Sequence, residues 1–236
     1  MKEQHLRTVA LIGEDGLNKL KNSTVAVFGI GGVGSYSVEA LARSGIGRIY
    51  IYDNDTVSES NRNRQLIALK STVGKLKTRV CAERIHEIDP EIEVIENPVF
   101  VTRDTEIPFE KFDFIIDAVD NVTAKLYLIE NAQKFSVPII SVMGTGNKLD
   151  PSLLQVSDIY STRECPLARV MRTELKKRSI KKLKVVWSPE HPIKAAETDE
   201  KRATGRATPG SMTFVPATAG IMAAAYAVKI LTEKKN

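Results

Sequence analysis

Residues 29–34 of this 236-residue chain read Gly29-Ile30-Gly31-Gly32-Val33-Gly34, between the apolar run Val25-Ala26-Val27-Phe28 and a helical pattern. A strand that feeds glycines into a helix start makes an anion cradle. The missing side chains let backbone N–H groups approach a phosphate, and the helix N-terminus adds favourable partial charge. By itself this hexapeptide suits NAD, FAD or ATP. Asp53, nineteen residues after Gly34, is placed to accept hydrogen bonds from ribose hydroxyls, which again does not separate those ligands. Ser60-Asn61-Arg62-Asn63-Arg64-Gln65 does separate them, because its forked guanidinium donors match the dispersed charge of a triphosphate. Lys77 adds a point charge at the start of the next helix, with Lys75 competing by spacing alone. In Asp117-Ala118-Val119-Asp120-Asn121, Asp120 is a hard oxygen ligand suited to the Mg2+ that accompanies ATP phosphates. Asp117 is expected to support the fold at a strand end. The ordered set points to ATP and adenylation rather than hydride transfer.

These residues need a scaffold that brings strand ends together. Apolar strands alternate with helical stretches, the pattern of a Rossmann-like, doubly wound and mostly parallel α/β sheet. Helices are expected over residues 6–21, 32–44, 73–88 and up to Phe135. Strands are expected over 24–28, 48–52, 92–95, 112–116 and 138–142. Asp89-Pro90 stops the third helix. Ligands in such sheets sit beyond the C-terminal strand ends, where the glycine loop, Asp53 and Asp117–Asn121 all fall. After Gly146 the pattern changes to a C-terminal α+β extension. Residues 148–159 read as a hairpin or short strand pair, 166–178 as a basic helix, 183–187 as a strand, and 214–231 as a closing helix. Residues 188–210, with three prolines, two glycines and no apolar period, read as a mobile loop. The whole is expected to be one domain, with a core of 1–146 and a substrate-facing extension of 147–236.

Composition bounds the class. A hydrophobic content of 42% supports a buried core, and two cysteines form no disulfide framework and lack metal-ligand spacing. A cytoplasmic location is expected, since the polar N-terminus lacks a signal-peptide core. The apolar stretch 217–231 is expected to be a buried helix, with peripheral membrane attachment as the alternative. The net charge is +5, yet residues 163–206 carry 13 Lys/Arg against 6 Asp/Glu, so the remainder is slightly acidic. Such a basic segment either attracts a polyanion or is a solvated helix face.

The order Gly-x-Gly-Gly-x-Gly, Asp, Asn-x-x-Arg-Gln, Gly-x-x-Lys, Asp-x-x-Asp-Asn resembles the ubiquitin-activating-enzyme-like (ThiF-type) adenylyltransferases, over residues 6–142. The resemblance implies a nucleotide site of Gly29, Gly31, Gly32, Gly34, Asp53, Asn61, Arg64, Lys77, Asp120 and Asn121. Within it, Gly32 contacts phosphate, Asp53 the ribose, and Asn61, Arg64 and Lys77 the phosphates, while Asp120 binds Mg2+. It also implies a homodimer in which Arg7 of a partner's N-terminal helix reaches the triphosphate. Arg7, Arg64, Lys77 and Asp120 form the implied catalytic set.

The second half resembles one branch of that family. The two Cys-x-x-Cys zinc pairs usual in sulfur-carrier-activating members are absent. Instead Asp150–Ile159, Pro166-Leu167-Ala168-Arg169 and Pro209-Gly210-Ser211 leading to Phe214-Val215-Pro216 resemble the branch that dehydrates threonylcarbamoyladenosine in tRNA. That branch implies adenylation of the threonyl carboxylate followed by ring closure, with tRNA as partner and a sulfur-transfer or other protein as helper. Arg169, Arg172, Lys176, Lys177, Arg178, Lys181 and Lys182 are the expected RNA contacts, although Lys176 and Lys177 cannot face one way on a helix. Trp187 or Tyr160 stacks on a base or packs internally. Cys165, at a helix start, is a conceivable acyl acceptor that the ring closure does not need. Three other readings compete: a sulfur-carrier adenylyltransferase, an NAD-dependent dehydrogenase, and an RNA-binding protein that keeps the fold without turnover.

Overall fold

The computed structural model describes residues 2–194, 196 and 209–233. A seven-stranded sheet runs in the order β3-β2-β1-β4-β5-β7-β6. Its strands are β1 (Thr24–Phe28), β2 (Arg48–Tyr52), β3 (Glu93–Asn97), β4 (Phe114–Asp117), β5 (Ile139–Val142), β6 (Gln155–Asp158) and β7 (Lys184–Trp187). All neighbours are parallel except β6 and β7. The helices are α1 (Leu6–Lys21), α2 (Gly34–Ser44), α3 (Lys77–Ile88), α4 (Val122–Lys134), α5 (Pro166–Lys177) and α6 (Phe214–Thr232).

Every residue of β1 is buried, as befits a central parallel strand covered on both faces. Its period of two divides the core. Val25 and Val27 join Val38 and Leu41 of α2, Val80 and Ile85 of α3, and Ala223 and Ala227 of α6. Ala26 and Phe28 face the other way, toward Leu128 and Ala132 of α4. A third cluster joins Met171 and Leu175 of α5 to Val185 and Trp187 of β7. The C-terminal extension therefore lengthens the same sheet.

Three expectations are corrected. Helix α1 breaks at Gly13 (φ 73°, ψ 171°), leaving a short arm that carries Arg7 and the 89%-exposed Leu11. Helix α3 starts at Lys77 rather than 73, because Gly74 takes φ +85° and its N–H donates to the Val57 carbonyl at 2.8 Å. Residues 148–159 form no hairpin. Only β6 is extended there, and it pairs with β7 across the intervening α5. Residues 195 and 197–208 of the expected mobile loop lie outside the described residues, and its near flank is held by Lys148, whose Nζ donates to the carbonyls of Ser188 (2.9 Å) and Glu190 (2.7 Å).

Asp117 fulfils the expected fold-supporting role through a partner that the sequence pattern did not single out. Lys125 Nζ, fully buried, donates to both Asp117 carboxylate oxygens at 3.1 Å and to the Val142 carbonyl at 2.8 Å. Ser141 Oγ donates to Asp117 at 2.5 Å. Three elements at the strand ends are thus locked through one buried ion pair. Breaking such a pair leaves an uncompensated buried charge. Lys125→Ala should therefore cost about 3–5 kcal/mol of unfolding free energy in urea titrations, while the exposed Lys134→Ala should change it by less than about 0.5 kcal/mol.

Candidate active site

The glycine loop joins β1 to α2 through contacts that leave no room for side chains. Gly29 has φ +85°, a region that favours glycine, and a Cβ there would stand 2.8 Å from the Ala118 carbonyl oxygen. At Gly34 a Cβ would lie 1.8 Å from the Gly29 carbonyl oxygen, an impossible distance. Among the described residues, no acceptor meets the N–H groups of Gly31, Gly32 and Val33. Three amides at a helix start are thus left for an anion. Ser35 Oγ donates to the Gly31 carbonyl at 2.6 Å and accepts from Leu66 N, which ties the loop to the Asn61–Gln65 segment.

Asp53 follows β2 with a largely buried carboxylate whose oxygens accept from Ile30 N (2.7 Å) and Asp55 N (2.8 Å). It therefore braces the glycine loop as well as facing the crevice. Burial pushes its carboxyl above the usual range, against the opposing pull of Lys77. Lys77 opens α3, buried, with Nζ 2.7 Å from Asp55 and 3.9 Å from Asp53. Lys75 is exposed, so the turn at Gly74 is what turns Lys77 rather than Lys75 inward. Asp55 is a functional neighbour that sequence reasoning missed, although it stands in the same Asp-Asn-Asp triplet as Asp53.

The Asn61–Gln65 segment closes the other side. Asn61 is buried in a single helical turn, where its Oδ1 accepts from Ser58 N at 3.2 Å. A Cβ on Gly32 would stand 3.6 Å from Arg64 Cγ, so that arginine lies beside the cradle, its guanidinium donating to the Ser60 carbonyl at 2.8 Å. Arg62 instead pairs at the surface with Glu59. Gln65 Oε1 is buried without a hydrogen-bond partner among the described residues, and its amide adjoins Gly31. A buried, unsatisfied acceptor beside an anion cradle suits a ligand-facing group.

Asp120 and Asn121 sit at the end of β4, both exposed. Asn121 caps α4 by accepting from Ala124 N at 3.1 Å, a helix-starting role that the sequence reading had not given it. Arg7, on the arm of α1, is exposed. The glycine loop, Asp53, Asn61, Arg64, Gln65 and Lys77 are linked by the contacts above, and Asp120 lies on the neighbouring strand end.

The basic segment divides. Arg169, Lys176, Lys181 and Lys182 are exposed. Arg172 donates to the Thr162 carbonyl at 3.0 Å and to its hydroxyl, and Arg178 pairs with Glu130 (2.6 Å) and Glu174 (2.7 Å). Lys177 pairs with Glu174 at 2.7 Å. The expected set of RNA contacts is thus partly committed to internal bonds. Trp187 is buried and donates to Ser157 Oγ at 2.8 Å, so it packs internally, whereas Tyr160 is half-buried, donates its hydroxyl to the Ile180 carbonyl and has Lys176 Nζ 5.8 Å from its ring centroid. Cys165 is buried in the third cluster.

Comparison with known proteins gives this geometry a lineage. The chain is 44% identical over 239 residues to the tRNA threonylcarbamoyladenosine dehydratase of Bacillus subtilis, covering 97% of this chain and 94% of that protein. Solved structures of the E. coli enzyme of that name match with a TM-score of 0.85. The complex with AMP is 36% identical over 95% of this chain and 92% of its own, and the complex with ATP is 35% identical over 97% and 93%. E. coli MccB, crystallised with ATP, shares the fold at 19% identity, a TM-score of 0.68, and coverage of 98% of this chain and 64% of its own. The ThiF family model matches residues 3–236, and with the relatives above this places the chain in the ThiF family.

Proposed function

We propose that this protein catalyses the ATP-dependent dehydration of N6-threonylcarbamoyladenosine in tRNA. One observation carries the reading: the likeness to the B. subtilis dehydratase extends through 97% of this chain, and so includes the C-terminal extension as well as the nucleotide half.

ATP fits the cradle. The three unbonded amides of residues 31–33 receive phosphate, and Asp53 receives the ribose hydroxyls. Arg64, Asn61 and Lys77 neutralise the triphosphate from the facing segment and from the start of α3. Asp120 holds Mg2+, which supplies charge neutralisation on the phosphates when bound. The threonyl carboxylate attacks the α-phosphorus, the bond to the β-phosphate oxygen breaks, and pyrophosphate leaves. The carbamoyl group then closes a ring on the activated carbonyl, and AMP departs with the carboxylate oxygen. The net change to the nucleoside is loss of one water.

Ring closure is intramolecular, an advantage worth about 7–11 kcal/mol in well-oriented cases. The protein therefore needs to position and neutralise more than to supply a nucleophile, which agrees with a buried Cys165. The exposed Arg169, Lys176, Lys181 and Lys182 meet tRNA phosphates, which position the substrate without reading its sequence. Two copies of the chain pair, so that the arm of α1 delivers Arg7 to the partner's triphosphate. The exposed Leu6 and Leu11 of that arm are the apolar surface that such a contact would cover. A sulfur-transfer or other protein is the expected helper, and the reducing cytoplasm suits the two free thiols.

Incubation with ATP, Mg2+ and threonylcarbamoyladenosine-bearing tRNA should yield a nucleoside lighter by one water in mass spectrometry. Arg64→Ala and Asp120→Ala should abolish that product, and an unchanged nucleoside mass with the unaltered protein would refute the reading. Mixing Arg7→Ala and Asp120→Ala proteins, each inactive, should restore about a quarter of the sites by forming mixed dimers; no recovery after subunit exchange would place Arg7 outside the partner's site. Asp53 must be ionised to accept both ribose hydroxyls, and burial makes it protonate above its ordinary 3.8. ATP affinity should therefore fall on acidification before an ordinary carboxylate titrates, a dependence that Asp53→Asn flattens in calorimetric titrations.

A further inference from the structure

A cavity of about 220 Å³ opens beyond the end of β5, lined by Asn147, Lys148, Leu149, Ile193, Ser211 and Met212, with Gly210 at its edge. None of these belongs to the nucleotide site described above. It is smaller than the 300–1,000 Å³ usual for whole-ligand pockets, so it admits a group the size of a single base rather than a nucleotide.

Its walls are braced before any ligand arrives. Asn147, held at φ +59°, donates its N–H to the Gly210 carbonyl, and its Oδ1 accepts from Gly210 N, both at 2.7 Å. Ile193 N donates to the Asn147 carbonyl at 2.8 Å. The three apolar side chains are nonetheless left open to solvent: Leu149 is 53% exposed, Ile193 45% and Met212 49%.

The cavity's charge selects against phosphate. Lys148 is buried and spends its ammonium on the Ser188 and Glu190 carbonyls, and burial lowers its pKa. The Glu190 carboxylate accepts from the backbone of the lining residue Leu149 (2.8 Å) and from Asp150 N (3.2 Å). Aliphatic and thioether groups over braced backbone suit a flat, uncharged ring.

The cavity is also tethered to the triphosphate site. Asn63 Nδ2 donates to the Ser211 carbonyl at 2.9 Å, Tyr36 bonds Thr213 at 3.0 Å, and Pro216 stands 3.3 Å from the Cβ position of Gly32. Met212 in the cavity wall and Pro216 against Gly32 thus belong to one segment of five residues, which joins the cavity to the glycine loop.

We infer that this cavity receives the purine ring of the substrate nucleoside, extruded from its RNA loop, with the N6-linked arm directed toward the glycine loop. The inference rests on the dehydratase reading. Enzymes that act on a base commonly take it out of the stack into such a pocket. Ile193 and Met212 are then positioning residues for the base, distinct from the groups that hold ATP.

The test compares equilibrium binding of the modified tRNA with binding of the same tRNA made abasic at that nucleotide. The unaltered protein should bind the abasic form about tenfold more weakly. The Ile193→Ala/Met212→Ala protein should lose that discrimination while keeping its ATP affinity, and the volume-conserving Met212→Leu should retain it. Equal binding of both tRNAs by the unaltered protein, or discrimination that survives the double substitution, would overturn the inference. Either result leaves the dehydratase reading standing, since that reading depends on the mass of the reacted nucleoside.

Discussion

No side chain can stand at Gly34, because the Gly29 carbonyl already occupies the space, and none can stand at Gly220, where the Val33 carbonyl lies 2.2 Å from the Cβ position. These two backbone contacts set the rest of the molecule. The first folds the loop tightly enough to start α2 with amides aimed outward. The second draws α6 onto the same loop, with Ser37 Oγ donating to the Gly220 carbonyl at 2.9 Å. The alanines of α6 follow from that approach, since larger residues at 219, 223, 224 and 227 would force the helices apart. The anion cradle is therefore squeezed from both sides by chain separated from it by up to about two hundred residues.

Charge is handled differently in the two polar clusters at the strand ends. Asp117, Lys125 and Ser141 are fully buried and mutually satisfied, so they fix geometry and have nothing left for a ligand. Lys77 is buried too, but its nearer partner, Asp55, has a 60%-exposed side chain. A pair with one partner in water contributes little, so the lysine can exchange Asp55 for a phosphate at small cost. Asp53 holds the loop through Ile30 N while keeping part of its surface open. One acidic residue thereby couples loop shape to the crevice at the strand ends.

The C-terminal extension contributes a wall rather than a second domain. β7 continues the sheet beside β5, and β6 returns antiparallel at the edge. This placement sets the loops after β5 and β7 beside the segment that enters α6, which is why residues 147–149, 193 and 210–212 meet. The same arrangement packs α5 by its apolar face and turns part of its basic surface outward. Bonds to Thr162 withdraw Arg172 from that surface, and pairing with Glu130 and Glu174 withdraws Arg178.

Much of this was legible in the chain. The glycine spacing, the acid at the end of β2 and the strand-helix alternation determine the doubly wound sheet and its nucleotide crevice, because local sterics and period-two burial act on neighbours in sequence. Strands β1 and β2 fall where the pattern sets them, with no competing signal. Contacts between distant segments were not legible. Pairing of β6 with β7 depends on sheet-edge geometry, the inward turn of Lys77 on the bond between Gly74 and Val57, and the sorting of basic residues on where Glu130 and Glu174 come to lie. Sequence alone determined which residue types reach the strand ends, whereas only the tertiary structure decided which of their charges are spent on one another. Burial and pairing arise from through-space contact, and spacing along the chain does not encode it.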